Sequence, residues 1–133
     1  LPPSPERIRF EVPAMKGPPV TLNAERRFVV YAITREVCEY RHWKLHALNV
    51  RTTHVHVVVS AKHKPERVMN DLKACCTRRM REANVLDTAA EPWSYHGSTR
   101  YVDSDNSFAR AKTYVSDEQG LPLELTQPIG WTR

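Results

Sequence analysis

Cysteine is scarce in this chain of 133 residues, which has only Cys38 and the adjacent pair Cys75 and Cys76. An odd count with one vicinal pair argues against a disulfide framework. No C-x-x-C occurs, which argues against the common zinc-finger spacings. Long apolar runs are missing too: none approaches the roughly 20 residues that a membrane span requires. No signal-peptide pattern is present. The expectation is a protein of the reducing cytoplasm, with no membrane partner and its thiols buried or half-buried. Repeats and low-complexity segments are also absent. The length fits one domain over 1–133.

Acidic residues are thin in one place. The net charge is +5, but residues 41–82 hold ten Lys/Arg against three acids, a net of +7. Residues 1–40 net +1 and residues 83–133 net −3. A basic middle beside an acidic tail suggests a face for a polyanion, of which nucleic acid is the usual one. A solvated helix face has the same composition.

Hydrophobic periodicity gives the order of elements. "ERIRFEV" (6–12) alternates Ile8, Phe10 and Val12 with charged residues, as a half-buried strand does. "PAMKGPPV" is a loop. Asn23 caps a helix running to about Arg41, with Val29, Ile33 and Val37 as its stripe and Phe28 and Val30 alongside. "HWKLHALNV" (42–50) and "HVHVVVSA" (54–61) read as a hairpin through "RTT". Pro65 opens a helix with the stripe Val68, Met69, Leu72, Cys76 and Met80. After a loop, "TRYV" (99–102) is a short strand. Ser104 or Asp105 then caps a last helix to about Glu118, closed by Gly120. The order β-α-β-β-α-β-α is the α+β, ferredoxin-like or RRM-like antiparallel pattern with one helix added.

The two histidines of "THVHVVVSA" (53–61) raise the functional question. Strand side chains alternate, so His54 and His56 share a face, roughly 7 Å apart at the backbone, with Val55, Val57 and Val59 on the other. Two imidazoles so spaced can converge on one metal. Alone, the pair fits two half-exposed polar residues at least as well, since the chain also carries His42, His46, His63 and His96. The last helix adds Tyr114, with Glu118 one turn later on the same face and Gln119 beside it. These residues provide a nucleophile and a third ligand on one element. The spacing equally permits Tyr114 as a core aromatic beside Phe108 and Ala111.

Taken together, "HVHVVV", the basic helix "PERVMNDLKACCTRRMREA", the block "PWSYHGSTRYV" and the tyrosine in "AKTYVSDEQG" resemble a known family. It is the single-tyrosine HUH transposases of small bacterial insertion sequences and the REP-associated tyrosine transposases. The resemblance covers about residues 6–120, leaving 121–133 as a tail. It implies an RRM-like sheet and a metal-dependent endonuclease and strand transferase for single-stranded DNA, acting near hairpins. It implies Mg2+ or Mn2+ on His54 and His56 and attack by Tyr114 to leave a 5′-phosphotyrosine and a free 3′-OH. Better-known members carry a Gln one turn after the tyrosine; here that position is Glu118 and Gln119 follows, so both stand as third-ligand candidates. Relatives act as homodimers with the tyrosine in trans or as monomers, and both arrangements stay open. A ferredoxin-like nucleic-acid binder with a relict site is the alternative function.

Phosphate contacts are expected from the cations that follow the histidine strand: Lys62, Lys64, Arg67, Lys73, Arg78, Arg79 and Arg81. They put a basic loop and helix start beside the site. Ser98 and Arg100 are candidate phosphate ligands. Trp93, Tyr95 and Tyr101 are candidate base-stacking residues, Trp93 being equally a core anchor. His63 and His96 are near the site in sequence only.

Overall fold

The structure, a computed structural model, describes residues 6–13, 21–93, 97–102 and 104–115. Four strands and three helices follow in the expected order: β1 (Glu6–Pro13), α1 (Ala24–Arg41), β2 (Lys44–Val50), β3 (His54–Ala61), α2 (Pro65–Glu82), β4 (Ser98–Tyr101) and α3 (Asp105–Thr113). The strands form one antiparallel sheet in the order β2-β3-β1-β4. It is an α+β fold of the ferredoxin-like type.

Alternation in the strands sorts the side chains onto two faces. Ile8, Phe10 and Val12 of β1 and Val55, Val57 and Val59 of β3 pack with Val30 and Ile33 of α1 and Val68, Leu72 and Met80 of α2. The other face carries a smaller core in which Val58 and Ala47 meet Val102, Ala111 and Val115, with Phe108 packed on it. Helices α1 and α2 therefore cover one side of the sheet and α3 the other.

The caps explain the helix boundaries. Asn23 accepts from the Arg26 amide to start α1, and His42 ends it in the left-handed conformation at φ 60°. Pro65 takes the first turn of α2, where its missing N–H is harmless. Ser104 accepts from the Ser107 amide to start α3. The buried line of α1 is Val30, Ile33, Thr34 and Cys38, with Val29 and Val37 at its margin. Repeated i+4 spacing drifts around a helix with 3.6 residues per turn, so Val29 and Val37 cannot both sit centrally on it. Gly97 lets the chain enter β4 close above α2, because a Cβ there would stand 2.6 Å from Met69 Sδ.

Candidate active site on the α3 face of the sheet

Pairing across the sheet puts residues directly opposite one another in rows that cross several strands. In one row, Asn49 of β2 pairs with His56 of β3, His56 with Glu11 of β1, and Glu11 with Ser98 of β4. In the next row, Ala47, Val58, Arg9 and Arg100 stand in the same order. Both rows face α3. His54 lies one pleat beyond His56 on the same face, as the alternation requires.

The histidines meet a carboxylate that the sequence did not point to. Glu11 Oε2 lies 3.2 Å from Nε2 of His56 and 3.6 Å from Nε2 of His54. The two imidazole rings are 5.8 Å apart between centroids. Thr53 Oγ1 lies 2.8 Å from His54 Nδ1 and fixes that ring from the other side. His56 is almost fully buried, and its Nδ1 has no hydrogen-bond partner among the described residues. Burial holds the His56 pKa below the usual histidine value, outweighing the opposite pull of Glu11. His54, Arg9 and Arg51 add to the lowering. A neutral imidazole is the form that binds a metal.

Tyr114 stands beside this group. It caps α3, and Tyr114 and Val115 continue the chain in a wider, π-type turn, a feature common at functional sites. Its ring is edge-on to His56 of the same chain, 6.4 Å between centroids, and is 37% exposed. The Arg9 guanidinium sits over the ring, 4.6 Å from its centroid. The turn is held down by Asn49, whose Nδ2 donates to the Val115 carbonyl at 2.8 Å. Asn49 is the only asparagine in the strand "KLHALNV", and that polar interruption is the sequence signal for it.

The donor set suits a divalent cation. Two imidazole nitrogens and one carboxylate oxygen converge, a mixture that Mn2+ and similar ions accept, with the carboxylate also suited to Mg2+. Among the described residues, however, no group of three or more His, Cys, Asp or Glu is placed to hold a metal ion. Glu11 instead approaches both rings through one oxygen. Glu118 and Gln119 lie outside the described residues, as do Tyr95 and His96.

The remaining candidates do not gather here. Lys62 and Lys64 are exposed at the far end of β3. At about 3.3 Å per residue the end of β3 at Ala61 stands roughly 16 Å along the strand from His56, and both lysines follow it, so the basic loop is not beside the histidines. Arg67 is near Asp71, Arg79 pairs with Glu36 and Glu82, and Arg81 donates to the Ala90 carbonyl. These three, with Lys73 and exposed Arg78, belong to α2 on the opposite side of the sheet. Trp93 is a core anchor, buried with its Nε1 donating to Thr77 Oγ1 at 2.9 Å. His63 packs its edge against Trp43, away from the site. Of the expected DNA contacts among the described residues, Ser98 and Arg100 lie on the α3 face.

No helix among the described residues is long and apolar enough to cross a membrane. No curated protein matches the chain. Solved structures that share its fold include two transposases. One, a REP-associated tyrosine transposase bound to a REP hairpin, superposes with a TM-score of 0.64 at 13% identity, over 85% of this chain and 66% of its own. The other is a candidate transposase from Deinococcus radiodurans R1, with a TM-score of 0.59 at 22% identity, over 86% of this chain and 91% of its own. Residues 18–117 match the family described as "Transposase IS200 like". The chain belongs to the IS200-like transposase family.

Proposed function

We propose that this protein nicks and rejoins single-stranded DNA next to hairpins, through a covalent link between Tyr114 and a 5′-phosphate. The observation that carries the reading is the placement of Tyr114 against His56 of its own chain. Membership of a transposase family supports the reading. The relative bound to a hairpin makes hairpin-flanked DNA the substrate to try first.

The residues divide the work. His54 and His56 would hold Mg2+ or Mn2+ through Nε2, with Glu11 the carboxylate donor beside them. Glu118 and Gln119 remain candidates on the tyrosine's own segment. When bound, the cation supplies Lewis-acid neutralisation of the scissile phosphate oxygens. Tyr114 Oη bonds to phosphorus while the bond from phosphorus to the 3′ oxygen breaks. The phenolic proton is lost to solvent and the departing oxygen takes one up. The phosphodiester energy stays in the tyrosine ester, so a 3′-OH can reverse the step without nucleotide hydrolysis. Arg9 puts positive charge beside the ring on which negative charge develops. Asn49 holds the turn that carries the nucleophile, which limits its distance from the histidines.

Incubating the protein with labelled single-stranded hairpin oligonucleotides and Mn2+ tests this reading. A labelled protein band that resists denaturant, and that needs both metal and Tyr114, is expected. Binding with no such band across a broad oligonucleotide pool would contradict it and favour a relict nucleic-acid binder.

A further inference from the structure

Beside Tyr114, between the β1–β4 edge and α3, runs a groove of about 600 Å3, lined by Arg9, Arg100, Tyr101, Ser107, Arg110 and Tyr114 among others. That volume is on the scale of ligand clefts, about 300–1,000 Å3. Among the described residues, three guanidinium groups line it and no carboxylate does. Among the described residues, Arg100 and Arg110 have no acidic partner within ion-pair distance. Arg9 and Arg100 are directly opposed on neighbouring strands. Like charges in that position destabilise a sheet, so the pair costs stability unless an anion lies between them.

We infer that this groove binds the phosphate backbone of the single strand that carries the scissile phosphate. Arg9, Arg100 and Arg110 contact successive phosphates. Guanidinium forks match phosphate oxygens in pairs. The nucleophile itself lines the groove, whereas the basic face of α2 is separated from it by the whole sheet. A strand laid on α2 would not deliver a phosphate to Tyr114. The inference rests on the proposed nuclease reading and assigns its substrate path.

The test is the salt dependence of binding of a short unstructured oligonucleotide, measured by fluorescence anisotropy on the full chain. Each phosphate contact to a single strand contributes about 0.7 to the slope of log K against log[salt]. Arg100→Ala with Arg110→Ala should therefore lower the slope by about 1.4, and Arg100→Lys with Arg110→Lys should restore it. Lys62→Ala with Arg78→Ala, which removes equal charge from the other side, should leave the slope unchanged. An unchanged slope in the groove variant, or an equal fall in the far-face variant, would overturn the inference. The wild-type adduct assay is run in parallel. A groove-dependent slope without any adduct would remove the nuclease reading and leave the strand-binding groove standing. An adduct whose yield and slope ignore the groove arginines would do the reverse.

Discussion

Asn49 on β2 donates its Nδ2 to the carbonyl of Val115 at 2.8 Å and so ties the end of α3 to the row of the sheet that holds His56. This one bond sets where Tyr114, the preceding residue, can stand. Asn49 is buried, so removing its amide also leaves the Val115 carbonyl without that donor. Asn49→Ala should cost about 1–3 kcal/mol of stability. Release of the tyrosine turn should lower the rate of adduct formation by roughly 10²-fold. Thermal melting and a single-turnover adduct assay, run well below the new melting temperature, separate the two effects. A rate that falls only as much as the folded fraction would count against a positioning role.

Glu11 should matter for metal rather than for folding. Its carboxylate is partly exposed and meets both histidine rings through one oxygen. Glu11→Gln should weaken Mn2+ binding by at least about tenfold, the lower end of what is lost even when outer partners of a ligand are removed. Titration calorimetry with Mn2+ reads this directly, without DNA. Wild-type affinity in the variant would assign the third donor to the segment beyond Val115.

Stability should fall as pH drops below about 6.5. His46 has its pKa lowered first by burial and then by Lys44, Lys112 and Arg7. His56 is lowered in the same sense, again with burial the largest cause. For a base whose folded pKa lies below its unfolded value of 6.5, the unfolded chain binds more protons in that window. The contribution is therefore complete above about 6.5 and is lost as pH falls toward the folded values. Melting temperatures between pH 8 and pH 5 should show this, with a shallower slope in His46→Gln. A slope unchanged by that substitution would mean His46 contributes nothing.

Thiol chemistry should distinguish the three cysteines. Burial pushes the thiols of Cys38 and Cys76 up to about 12. Cys75 is only half-buried. Iodoacetamide at pH 8 should leave Cys38 and Cys76 unmodified in the native protein and reach all three after denaturation, by mass spectrometry of the digested chain. Native labelling of Cys38 or Cys76 would contradict the packing of α1 against α2.

The cis placement of the tyrosine has its own test. Tyr114→Phe mixed with His56→Gln should not recover adduct formation, because each chain lacks half of its own site. Recovery in the mixture would establish exchange of the tyrosine between two copies.

Local patterns make the strands, the caps and the face shared by His54 and His56 legible in the amino-acid sequence. Glu11 is not legible there, because its place opposite His56 depends on β1 pairing with β3 in one register, a long-range relationship with no local signal. The charge count points to a different face from the groove beside Tyr114, for a related reason. The excess of cations at 41–82 is concentrated in sequence, yet much of it decorates α2 on the side of the sheet away from Tyr114. Arg9 and Arg110 sit in segments whose net charges are +1 and −3, where totals hide them. Only the sheet brings them, with Arg100, to one groove.

The most direct measurement is the identity of the residue that carries DNA after reaction with a hairpin-flanked single strand and Mn2+. Tryptic digestion, nuclease trimming and tandem mass spectrometry should place a nucleotide phosphate on the peptide that begins at Thr113, whose single tyrosine is Tyr114. Attachment to another residue, or cleavage with no attached nucleotide, would contradict the account.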